Sequence, residues 1–195
     1  MEIIMKHHRV LGLLSALVLM SSSAFALEKY TLDASHSYVD WQLSHFGFSH
    51  PSGKWFANGT LELDKDKPQD SKVNVTINVA DMVTGISKLD EHMKGEEFLD
   101  VAKYPTATFV SDKVTVTGEE TAKVRGMLTL HGVTKPVTLN VKLNRLATSP
   151  ITSKMTAGFS ATADIKRSDF GIKAFLPNLG DDVKLKIEVE ANKAT

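Results

Sequence analysis

Eight stretches of the chain alternate apolar and polar residues with a period of two. That spacing puts successive side chains of a strand on opposite faces, so each stretch has one face to bury and one to wet. The clearest run is 154–165. Met155, Ala157, Phe159, Ala161, Ala163 and Ile165 fall on one side, and Lys154, Thr156, Ser160, Thr162 and Asp164 on the other. Five others keep the same beat: Val39, Trp41, Leu43; Trp55, Ala57, Gly59, Leu61, Leu63; Val73, Val75, Ile77, Val79; Val137, Leu139, Val141, Leu143; and Val183, Leu185, Ile187, Val189. Val124, Gly126, Leu128 and Leu130 form a less clean seventh, because Met127 breaks its polar side. The eighth, 106–117, changes phase. Ala107 and Phe109 are apolar at odd positions, Val114 and Val116 at even ones, which predicts a β-bulge near residues 111–113.

The connections are short and turn-like, with three exceptions. Residues 46–53 (FGFSHPSG) are aromatic and glycine-rich, and residues 166–181 form a long loop. Residues 81–105 carry the one good helix signal. Ser87 is placed to cap it, Asp90 and Glu91 lie in its first turn, Leu89 and Met93 share a face, and Gly95 ends it. Antiparallel strands with one short α-helix predict an all-β fold, an eight-stranded antiparallel barrel. A barrel of that size can hold one small ligand. Alanine and glycine recur on the inward faces, where a packed core would use bulk, so the pattern also predicts vacant space.

Residues 1–26 read as a secretory signal peptide. Lys6, His7, His8 and Arg9 precede an apolar stretch over 10–20, and Ala24-Phe25-Ala26 is a small-x-small cleavage site. Cleavage after Ala26 leaves one domain, 27–195, in an exported, periplasmic protein. That domain carries 21 Lys+Arg against 22 Asp+Glu, too balanced for a nucleic-acid surface. The chain has no cysteine, hence neither disulfide nor thiolate chemistry. With 3 Tyr and 2 Trp it cannot furnish the two aromatic girdles of an outer-membrane barrel, so the greasy side is expected to face inward and the chain not to span a membrane.

Four segments carry a family resemblance: 30–49 (YTLDASHSYVDWQLSHFGFS), 98–111 (FLDVAKYPTATFVS), 126–141 (GMLTLHGVTKPVTLNV) and 165–172 (IKRSDFGI). They are similar, in order and along most of the chain, to the YceI-like family, periplasmic proteins with a lipocalin-like barrel that bind polyisoprenoids. The family's helix often has an arginine-aspartate pair followed, one residue on, by histidine-leucine. Here the segment is LDEHM; Asp90 and His92 match, and Leu89 replaces the arginine, without charge or donors. The resemblance implies an isoprenoid or other long-chain lipid ligand. Each buried isoprene unit is worth roughly 3–4 kcal/mol gross. About three units exceed the ~8 kcal/mol of a micromolar complex before ordering costs. The tail alone can supply the affinity, so an apolar lining does not identify the head group.

The expected ligand-binding residues are Trp41, Leu43, Trp55, Val75, Ile77, Phe109, Leu128, Leu139 and Phe159 on the inward faces. Ala57, Gly59, Gly126, Ala157 and Ala161 supply the space, and Phe46 and Phe170, with Phe48, Phe175 and Leu176, the mouth. Gly126→Leu or Ala157→Phe is accordingly expected to block the tail. Arg167 and Asp169 are expected to form a structural or rim contact, with Arg167 an option for a phosphate. No histidine pair has the spacing of a zinc site, and no cofactor is expected. Asp33, His36 and Ser37 lie close in sequence, but their expected role is to bond the backbone at a turn, not catalysis. The reading is a non-enzymatic carrier of a long apolar ligand. The alternatives are a lipid-modifying enzyme using the same cavity, or a stress-related structural protein with a filled barrel. The sequence specifies no oligomeric state.

Overall fold

The computed structural model describes residues 27–194, so the leader expected over 1–26 lies outside the described residues. The strands are β1 (Glu28–Leu32), β2 (Tyr38–Gln42), β3 (Ser52–Leu63), β4 (Lys72–Val83), β5 (Thr106–Val116), β6 (Thr121–Leu130), β7 (Val133–Thr148), β8 (Met155–Lys166) and β9 (Asp182–Lys193). A single α-helix among the described residues, α1 (Ser87–Lys94), interrupts the connection from β4 to β5. All pairings are antiparallel, and the sheet closes on itself.

Nine segments make an eight-stranded barrel because β1 and β2 occupy one position. Each pairs with β3 on one side and β9 on the other. The break between them is stitched into the wall by the residues that make it. The Asp33 N–H and the Ser37 hydroxyl both donate to the Glu190 carbonyl, at 2.8 and 3.2 Å, and the Ala57 N–H donates to the Ser37 carbonyl at 3.0 Å. The Asp33 carboxylate accepts from the Ser35 N–H at 2.9 Å. This is the turn-forming role expected of Asp33 and Ser37. The expected bulge lies between Ser111 and Lys113 of β5, where the register against β6 shifts. β6 alternates cleanly: Val124, Gly126, Leu128 and Leu130 are buried, while Met127 faces out. Outward faces are polar, as with Lys184 and Lys186 on β9 and Asn140, Lys142 and Asn144 on β7. A lipid-facing barrel would carry the reverse pattern. Among the described residues no helix is long and apolar enough to cross a membrane.

One end of the barrel is plugged. The β2–β3, β4–β5 and β8–β9 connections bring Leu43, Phe98, Leu99, Phe170, Ile172 and Leu179 into one buried cluster with Trp41 and Met82. Arg167 holds the plug. Its buried guanidinium donates to the carbonyls of Gly180, Ile172, Ala174 and Leu179 at 2.8–3.1 Å, tying the β8–β9 loop into a closed ring. Arg167 thus makes the expected structural contact, through these carbonyls, while Asp169 is exposed. Ser87 does not cap α1, because it is already the first helical residue and Ile86 takes the extended cap position. Asp90 reaches back instead, accepting from the Thr84 N–H and hydroxyl at 2.7 and 2.6 Å. Gly95 follows the last turn as expected.

At the opposite end Tyr30, Leu32, Leu61, Ala157 and Ala191 form a second, smaller cluster. The Tyr30 hydroxyl donates to Glu28, which also pairs with Lys193 across the β1–β9 seam. Burial, reinforced by the bond to Glu28, pushes the Tyr30 phenol up to about 12.

Two outcomes follow. Arg167→Met leaves four carbonyls without their donor and should lower the unfolding free energy by about 3 kcal/mol in urea melts, with Arg167→Lys giving little rescue. An unchanged midpoint would show that the loops hold without it. In a phenolate absorbance titration, Tyr30 should ionise well above the ordinary tyrosine range, at about 12. The stability it contributes is complete below about pH 10 and is lost as pH rises through about 12.

Candidate functional site

Inside the barrel is a cavity of about 360 Å³ with an almost wholly apolar wall. This lies within the range of small-molecule sites. On β3 the lining runs from Trp55 to Leu63, about 26 Å along the strand, or about 20 Å along the axis of a tilted barrel. Several inward residues, including Val75, Val137, Leu139 and Val141, are only half-buried because they face this hollow instead of a neighbour.

Nine of the expected residues line it: Trp55, Ala57, Val75, Ile77, Phe109, Leu128, Leu139, Phe159 and Ala161. The others lie elsewhere. Trp41, Leu43 and Phe170 belong to the packed plug. Phe46 stands on the surface at 44% exposure, and Phe48 at 91%. Their loops were expected to frame the mouth; they close the far end. The plug tightens around Trp41, since a Cβ at Gly53 would come within 2.5 Å of its indole. Trp41 and Trp55 lie 5.9 Å apart between plug and cavity.

The small residues divide by what occupies their space. Ala57 and Ala161 do widen the cavity. Gly126 does not, because the Phe109 ring and the Val110 carbonyl already fill the place of a side chain, each 2.5 Å from an ideal Cβ. Gly59 has φ +153 and lies against the β4 backbone, 2.1 Å from Cβ to the Asn74 carbonyl oxygen, so a close strand approach requires it. Ala157 is sealed within the second cluster. Sequence reasoning missed Ala107, Val114, Val124, Val137, Val141 and Ile187 as lining residues, although Ala107, Val124, Val137 and Val141 share parity with Phe109, Leu128 and Leu139 on their own strands, and Val114 follows the phase change in β5.

The cavity opens where the β3–β4 and β5–β6 connections meet. There its wall reaches the exposed Lys65, Lys72, Glu119 and Glu120, the charged residues of the lining. Asp66 hydrogen-bonds Lys65 at 2.8 Å and holds its ammonium above the ordinary lysine range. Outside the cavity, folding sets Asp33 and His36 beside Glu190, with ligand-type atoms within 4.8 Å, a grouping that sequence spacing did not suggest. The Asp33 carboxylate, 3.0 Å from His36 Nδ1, raises the imidazole's pKa. This exposed group belongs to the outer surface of the strand break.

A closed antiparallel barrel with an apolar cavity open at one end defines the class of small-ligand-enclosing barrels. Residues 30–191 match the YceI-like domain, and the chain belongs to that family. Among its relatives, a UPF0312 protein of Pseudomonas savastanoi pv. phaseolicola is 41% identical over 160 residues, covering 80% of this chain and 82% of the relative. Another, of Pseudomonas fluorescens, is 38% identical over 180 residues, covering 90% and 92%. The crystal structure of Campylobacter jejuni YceI protein superposes with a TM-score of 0.69 at 31% identity, covering 76% of this chain and 88% of that one. A polyisoprenoid binding domain from Saccharophagus degradans shares the fold with a TM-score of 0.65 at 17% identity, covering 86% and 99%.

Gly126→Ala should destabilise the barrel by about 1–3 kcal/mol, because the Val110 carbonyl it meets is backbone. A melting temperature equal to that of the parent would refute the close packing described here.

Proposed function

We propose that the chain is a carrier that encloses one long apolar ligand of polyisoprenoid type, works in the periplasm after loss of residues 1–26, and performs no reaction on its cargo. The observation that carries this reading is the apolar cavity of about 360 Å³, open at one end and plugged at the other. Its length of about 20 Å suits a chain better than a compact molecule. The lining offers no buried acid–base pair, since its charged side chains stand at the mouth, whereas catalysis on a bound lipid would need such groups against the tail. The relative from Saccharophagus degradans, a polyisoprenoid binding domain by name, supports the ligand class.

Native mass spectrometry of protein purified from its host should reveal one retained lipid per chain. Val141→Trp, which places bulk on the half-buried cavity wall, should abolish that adduct and leave the thermal transition within a few degrees of the parent. Lipid retained at full stoichiometry by this variant would place the ligand elsewhere, and a turned-over product would favour an enzyme.

A further inference from the structure

Near the mouth the barrel wall parts between β4 and β5. These strands pair only from Asn74–Val110 to Asn78–Thr106. Beyond the bulge β5 continues along β6 alone, from Lys113–Arg125 to Val116–Ala122. A 3-10 turn at Pro68–Asp70 lies against β5 there. A notch occupies the gap, lined by residues 69–72 and 111–114 and by Leu27. It shares Ser71, Lys72 and Val114 with the wall of the apolar cavity, so the two spaces adjoin there.

The chemistry changes at that junction. Lys72 and Lys113 have no carboxylate partner among the described residues. The acid nearest to Lys113 in sequence, Asp112, is taken by Arg125 at 2.7 Å. The Ser71 oxygen accepts the Asp64 N–H at 3.0 Å, and the Ser111 oxygen accepts the Val73 N–H at 2.9 Å. The backbone thus fixes both oxygens and leaves each hydroxyl hydrogen able to donate. Two ammonium groups and two positioned hydroxyls stand against one unpaired carboxylate, Asp70. Across the mouth the β5–β6 connection carries Glu119 and Glu120. The rim is therefore polarised, and its field repels an anion from the β5–β6 side and draws it to the notch.

We propose that the notch is the head-group subsite for an anionic amphiphile, a long apolar chain ending in a phosphate or comparable oxyanion. This rests on the carrier reading and adds to it the ligand's polar end. The tail occupies the cavity, and the head leaves it sideways, through the gap opened by the β5 bulge, to meet Lys72, Lys113, Ser71 and Ser111.

The test is a tail-matched pair, farnesyl phosphate and farnesol, titrated against the full mature chain by tryptophan quenching, since Trp55 lines the cavity. The phosphate should bind about tenfold more tightly at low ionic strength, and that preference should shrink in 0.5 M salt, where the screening length is only about 4 Å. The double variant Lys72→Gln/Lys113→Gln alters two exposed side chains. It should abolish the preference for the phosphate over the alcohol, measured within the variant itself, while leaving thermal melting unchanged. Equal affinities for both ligands in the parent protein, or a phosphate preference that survives in the double variant, overturns the subsite and leaves the apolar cavity standing. Failure of both ligands to bind the parent overturns the carrier reading together with the subsite.

Discussion

Closure of the backbone hydrogen-bond ladder is the constraint on which this barrel depends. A packed core can compensate for an exposed sheet edge; a hollow one gives up contacts at its centre and must satisfy its strands around the ring. The first strand is split and still leaves no edge, because β1 and β2 use the same two neighbours and the Asp33–Ser37 turn bonds to both of them. The larger buried cluster runs from the plug around Phe98, Phe170 and Trp41 into the cavity wall at Trp55, Ile77, Phe109 and Leu128, and a smaller one surrounds Tyr30.

This division explains what the sequence could and could not say. Parity along a strand separates inside from outside, so the eight runs and the phase change at Ser111–Lys113 were legible. Parity says nothing about height along the barrel axis. Trp41 and Trp55 both face inward, yet only Trp55 reaches the cavity. The aromatic loop containing Phe46 and Phe48 looked like a rim because loops rich in aromatics often bind; three-dimensional closure put it at the sealed end. β1 escaped notice because it is five residues long and offers only Tyr30 and Leu32 as inward positions.

Small residues were the least legible feature. A glycine or alanine on an inward face reads as space, but whether that space is vacant depends on a neighbour distant in sequence. Phe109 lies over Gly126, and the β4 backbone lies against Gly59, while Ala57 and Ala161 line the cavity. Arg167 is a related case. A basic residue in a long loop suggests an anion site, but its five donors also suit the task of gathering carbonyls, and a loop that must close over an apolar end has carbonyls to gather.

The sealed end also governs the order of events for any chain-like guest. A dead-end bore can be threaded only from its one port, so the tip farthest from the polar end enters first and departs last. Loading and unloading share a single doorway, and nothing can flow through. Release must then withdraw the whole length of the guest past the same rim, which makes residence time grow with the number of isoprene-sized segments inside.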